Sequence, residues 1–144
     1  FIVFLRPLGL RLVATKSFET VDGRFVEKGE PGGWIESALN LSQDGRCWID
    51  DDAVVLGDGS VLDNALVADE VMCEGILQDN AIARGKACIE FGAICRDNTL
   101  VCDNALIKEG AIVMDNATVA EDSIVCKNAV IGDDAYYTSR FTKL

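Results

Sequence analysis

The sequence predicts an all-β fold in which a solenoid of stacked triangular coils follows a short β cap. Three observations carry that expectation. From residue 77 the chain divides into ten consecutive hexads: LQDNAI, ARGKAC, IEFGAI, CRDNTL, VCDNAL, IKEGAI, VMDNAT, VAEDSI, VCKNAV and IGDDAY. Position one is apolar in each, from Leu77 to Ile131, and position five is small throughout, from Ala81 to Ala135. Position four is Asn, Asp or Gly in nine of the ten, with Lys86 the exception, so a corner is signalled every six residues.

The hexad has a mechanical meaning. A short strand points one side chain inward at position one, and a bulky apolar residue there fills the core. The chain then turns, and Asn, Asp and Gly tolerate the left-handed backbone conformation that tight corners need. The next inward position has little room, so only Ala, Ser or Thr fits. Three strands and three corners close an 18-residue coil, and coils stack strand on strand at about 4.8 Å.

The same pattern runs upstream in another phase. IDDDAV starts at 49, VLGDGS at 55, VLDNAL at 61 and VADEVM at 67. The segment Cys73 to Ile76 has four residues where six are due, so one coil is two residues short. About five coils are expected over 49–136, a rod of roughly 24 Å. Residues 1–48 lack the hexad and form the N-terminal cap. Within them Arg11 to Thr15 and Arg24 to Val26 read as strands, with Asp22-Gly23 as a turn signal between them. Trp34 and Trp48 are the expected plugs of the first coil, because an open solenoid end exposes core and strand edges. Residues 137–144 break the pattern and are expected to cap the far end.

An aliphatic residue followed four positions later by a small one resembles the hexapeptide-repeat family. That resemblance implies a left-handed triangular parallel β-helix. The entry run Gly32-Gly33-Trp34-Ile35, Asn40-Leu41-Ser42-Gln43, Gly45, Cys47 and Trp48 looks like that of YdcK-like hexapeptide-repeat proteins of bacteria and prophages. The family's enzymes use a histidine as general base between subunits, or three histidines on a metal. This chain contains no histidine, so neither mechanism carries over. No Gly-rich phosphate loop or G-x-S-x-G elbow is present.

Charge narrows the partners. Between 49 and 136 there are 18 acidic against 5 basic residues, a balance of −13. Such a body repels phosphates, which argues against nucleic acid. No apolar run approaches the roughly 20 residues of a membrane span. The six cysteines contain no CxxC; Cys73 and Cys95 are expected in the core, and Cys88, Cys102 and Cys126 outside. Unpaired thiols point to the cytoplasm.

Residues 18 apart stack, and 16 apart across the short coil. One corner therefore lines up Asp63, Asp79, Asp97, Asp115 and Asp133, with Asn64, Asn80, Asn98, Asn116 and Asp134 beside them. This edge is either cation-binding, a dock for a basic partner, or plain Asp-Asn turn chemistry. Residues before the inward position point outward. They form an apolar stripe of Ile76, Ile94, Ile112 and Val130, with Met114 nearby, and a second of Ile82, Leu100, Thr118 and Tyr136. A stripe continuous over four coils reads as an interface. The expected function is thus a non-catalytic structural or interaction module with no cofactor, forming a homo-oligomer (dimer or trimer) or binding a protein. Two alternatives remain: an acyltransferase-like protein without the usual histidine, and a prophage accessory protein that binds a host factor.

Overall fold

The computed structural model describes residues 2–6 and 9–138. The chain is a β-solenoid of about six turns whose two-residue strands stack in parallel into three flat sheets. On the first face Pro31–Ile35 is followed by Val54–Val55, Met72–Cys73, Cys88–Ile89, Leu106–Ile107 and Ile124–Val125. The second face stacks Ser60–Val61, Ile76–Leu77, Ile94–Cys95, Ile112–Val113 and Val130–Ile131. The third stacks Trp48–Ile49, Leu66–Val67, Ile82–Ala83, Leu100–Val101, Thr118–Val119 and Tyr136–Tyr137. Residues 139–144, the greater part of the expected C-terminal cap, lie outside the described residues.

Inward positions form the core as the hexad requires. Val61, Leu77, Ile89, Val101, Ile107, Val113 and Val119 are fully buried, and Cys73 and Cys95 sit among them. The small residues Ala65, Ala81, Ala93, Ala105, Ala111 and Ala117 are equally buried beside them. The shortened turn keeps register. Ile76 pairs with Ser60, and Met72 with Cys88, each across 16 residues, and every pairing above resumes at 18. The two missing residues come from the corner itself, so Gly75 occupies the small position and no inward side chain is lost.

The winding begins earlier than the hexads. Trp34 and Ile35 pair in parallel with Val54 and Val55, and Leu41 bridges to Val61. One buried side chain organises this first turn. Asn40 accepts from the backbone N–H of Glu36 (3.0 Å) and Ser37 (2.8 Å), and its amide donates to the carbonyls of Gly57 (3.1 Å) and Gly59 (2.7 Å). It thereby substitutes for a hexad corner and ties the first coil to the second. Gly32 is required nearby, because a Cβ there would stand 2.5 Å from Trp48 Cζ2.

Below this turn the first sheet continues with antiparallel strands. Gly9–Val13 pairs with Pro31–Ile35, and Ile2–Arg6 pairs with Gly9–Val13. Leu12 and Ala14 close the core from below. The segment 24–26 does not pair with 11–15; Phe25–Val26 pairs with Phe18–Glu19 over the Asp22-Gly23 turn. That hairpin folds onto the third face. Phe18 meets Trp48 edge to face at 5.4 Å, Arg24 pairs with buried Asp50 at 3.1 Å and with Glu30, and Asp22 reaches Arg84 at 2.8 Å.

Replacing Asn40 with Leu takes the partner from the Gly57 and Gly59 carbonyls and the Ser37 N–H, while Glu36 N–H keeps the Val55 carbonyl at 3.2 Å. Denaturant unfolding should register a loss of about 2–4 kcal/mol, given ~1–3 kcal/mol per unsatisfied buried group. A loss within about 0.5 kcal/mol, the range of ordinary surface changes, would contradict this role for Asn40.

Candidate functional site

The corner between the second and third faces carries Asp63, Asp79, Asp97, Asp115 and Asp133 in a single file. Each has a positive φ, between 57° and 62°. The left-handed residue is therefore position three of the hexad, one place before the Asn expected to adopt it. The carboxylates do not simply face one another. The backbone N–H of Asp79 donates to Asp63 Oδ2 at 3.0 Å, and the step repeats at 3.1, 2.9 and 2.8 Å up to Asp133. Each carboxylate so used caps the next coil's corner, which offsets the repulsion along the file. Beside it the amides of Asn64, Asn80, Asn98 and Asn116 each donate to the side chain above, at 3.1–3.3 Å.

The corner between the third and first faces repeats this device, which the sequence reading overlooked. Asp51, Asp69, Asp103 and Glu121 have positive φ, with Gly85 in the same file. Asp51 caps Asp69, Asp69 caps Gly85, and Asp103 caps Glu121. The signal was available as the third residue of IDDDAV, VADEVM, VCDNAL and VAEDSI. Among the described residues no three His, Cys, Asp or Glu side chains gather as a metal-holding group.

The outward column of the second face runs in register from Ile76 through Ile94 and Ile112 to Val130. The three isoleucines are half-buried and Val130 is 57% exposed. Met114 lies half-buried in the adjoining column, and its sulfur accepts from Arg96 Nη2 at 3.2 Å. On the third face Ile82 and Leu100 are half-buried and Tyr136 is exposed. The lower end of that column, Trp48 and Leu66, is already buried where the N-terminal hairpin lies. The first face carries its own outward column, Val54, Met72, Cys88, Leu106 and Ile124, but Glu74, Glu90 and Lys108 follow its inward residues.

Of the two tryptophans, Trp48 is buried against Phe18, whereas Trp34 is half-buried and stacks under the Arg11 guanidinium at 5.0 Å. All six cysteines are free thiols. Burial pushes Cys47 up to about 11 and Cys73 up to about 12, and raises Cys88, Cys95 and Cys102 as well. At neutral pH these five are thiols rather than thiolate nucleophiles. Burial likewise raises Asp50, against the pull of Arg24. Compared with protein-family models, curated proteins and solved structures, the chain matches none.

Changing Asp97 to Ala removes a cap and places a Cβ-bearing residue without a polar side chain at φ 59°. The expected cost is about 2–4 kcal/mol, from ~1–2 for the left-handed conformation and ~1.5–3 for the charged hydrogen bond. Asp97→Asn keeps both an acceptor and tolerance of that conformation, and should cost about 1 kcal/mol or less. Equal denaturation midpoints for the two variants would refute the capping role.

Proposed function

We propose that this chain is a non-catalytic β-solenoid module that self-associates through its second face. The observation that supports it is the continuous column Ile76, Ile94, Ile112 and Val130, packed in register at strand spacing. Its companion column is Leu62, Gln78, Arg96, Met114 and Gly132, which brings one charged side chain to the whole surface. By contrast the first face carries several charges, and the lower third face is occupied by the chain's own hairpin. An apolar strip this long and this little charged is what lateral packing against another protein surface removes from water.

The same reading places the chain in the hexapeptide-repeat class with left-handed winding. Its support is the short parallel strands with an aliphatic residue inward and a small residue at each coil's tight position. The absence of histidine from the sequence favours a module over a transferase. Six unpaired thiols support the cytoplasm as its compartment. No helix among the described residues is long and apolar enough to cross a membrane.

Sedimentation of the 15.5 kDa chain should give a multiple of the monomer mass. The double variant Ile94→Lys, Ile112→Lys should sediment as a monomer with an unchanged circular dichroism spectrum. A wild-type chain that stays monomeric up to about millimolar concentration, where binding is worth only ~4 kcal/mol, would overturn self-association.

A further inference from the structure

The geometry points to a second site, at the N-terminal end of the solenoid and separate from the second face: a pocket that binds a small carboxylate with a compact apolar end. The first coil and the cap segment do not close on one another completely. Between them lies a cavity of about 40 Å³, open on one side. A buried water occupies roughly 10–15 Å³ on such a measure, so the cavity takes the edge of a small ring and the rest of a ligand lies in its open mouth.

The floor is apolar and fixed. Phe18 and Trp48 meet edge to face there, and buried Leu41 and Ala14 complete it. Both walls are held by their own hydrogen bonds. The first is the turn 42–47, where the Ser42 hydroxyl accepts the Asp44 N–H at 3.1 Å and the Cys47 thiol donates to the Ser42 carbonyl at 3.3 Å. Gly45 in this turn has φ 72°, and its Cα lies so near the Asp63 carbonyl that a Cβ has no room. The turn is therefore pressed onto the second coil. The opposite wall, 14–18, is tied down where Ala14 N–H donates to Glu30 (3.0 Å), Gly29 N–H to Ala14 (2.8 Å) and Lys28 N–H to the Ser17 hydroxyl (2.9 Å). A pocket with held walls does not pay to be ordered by its ligand.

The rim supplies the charge. Lys16 comes from one wall and Arg46 from the other, and neither forms an ion pair among the described residues. Arg11, Lys28 and Lys108 are likewise without an ion pair among the described residues, but Lys16 and Arg46 are the two that line this cavity. Two unpaired cations on opposite lips of an aromatic-floored pocket select an anion outside and an apolar group inside. Burial holds the Cys47 thiol protonated, at about 11, so it adds no negative charge; Asp63 and Asp44, whose charges both act on Cys47, are the carboxylates an anionic ligand must tolerate. The planar forked guanidinium of Arg46 matches a carboxylate's two oxygens.

Benzoate is the probe, with benzyl alcohol as its neutral counterpart at constant ionic strength. Titrated into the ¹⁵N-labelled full chain, benzoate should give saturable amide shifts confined to 14–18 and 41–48. The dissociation constant should lie at about the millimolar level that fragment-sized ligands reach. Benzyl alcohol should bind about tenfold more weakly or worse, a difference of ~1.4 kcal/mol. The double variant Lys16→Gln, Arg46→Gln changes two exposed side chains, so it should keep the wild-type spectrum elsewhere and weaken benzoate about tenfold. Equal affinity for the acid and the alcohol, undiminished binding by the double variant, or shifts that do not localise to these segments would each overturn the proposal. The second-face variant Ile94→Lys, Ile112→Lys should bind benzoate as the wild type does, and failure there would overturn the independence of the two sites.

Discussion

Each coil of this protein turns through residues whose backbone takes a conformation that side-chain-bearing residues disfavour, and the neighbouring coil makes that turn sustainable. At two of the three corners an acidic residue adopts positive φ, and at most steps its carboxylate accepts the N–H of the corner residue above. The strands between corners are only two residues long, too short to hold a sheet by themselves. Their pairing depends on corners that repeat at a constant height. The acidity of the body is thus partly architectural: a large share of its carboxylates point along the stack rather than toward a ligand.

The third corner is built differently: Glu36 caps the Gly57 N–H at 2.7 Å and Glu90 the Glu109 N–H at 3.0 Å, but no continuous file of acidic residues at positive φ runs through it. Between the first and second faces the positive φ stands at position three in Gly57 and at position four in Gly92, Gly110 and Asn128. This is also the corner that tolerates the two-residue deletion. No cap of the Asp kind is broken there, and Gly75 keeps the small inward position. The deletion falls outside both acidic files, which run past it undisturbed.

Much of this was legible in the sequence because the repeat is local. Inward Cys73 and Cys95, the 16-residue step and the file from Asp63 to Asp133 all follow from counting. The third-position corner was harder to read, since Asp at three and Asn at four both suit turns, and only backbone angles distinguish them. The turn built on Asn40 has no hexad at all; its geometry comes from four hydrogen bonds to a single side chain. The hairpin over the third face rests on Asp22 with Arg84 and Arg24 with Asp50, contacts between segments whose sequences give no sign of one another. For the same reason the candidate pocket went unread, since its two walls are separate segments brought together by the cap.

The central claim is that carboxylate caps between coils hold the corners. Hydrogen exchange of the amides of Asp79, Asp97, Asp115 and Asp133 tests it most directly, because these residues lie at the surface in turns. The account predicts protection comparable to that of the core strand amides of Val101 and Val113. Exchange at the rate of an unstructured peptide, with the strands still protected, would contradict it.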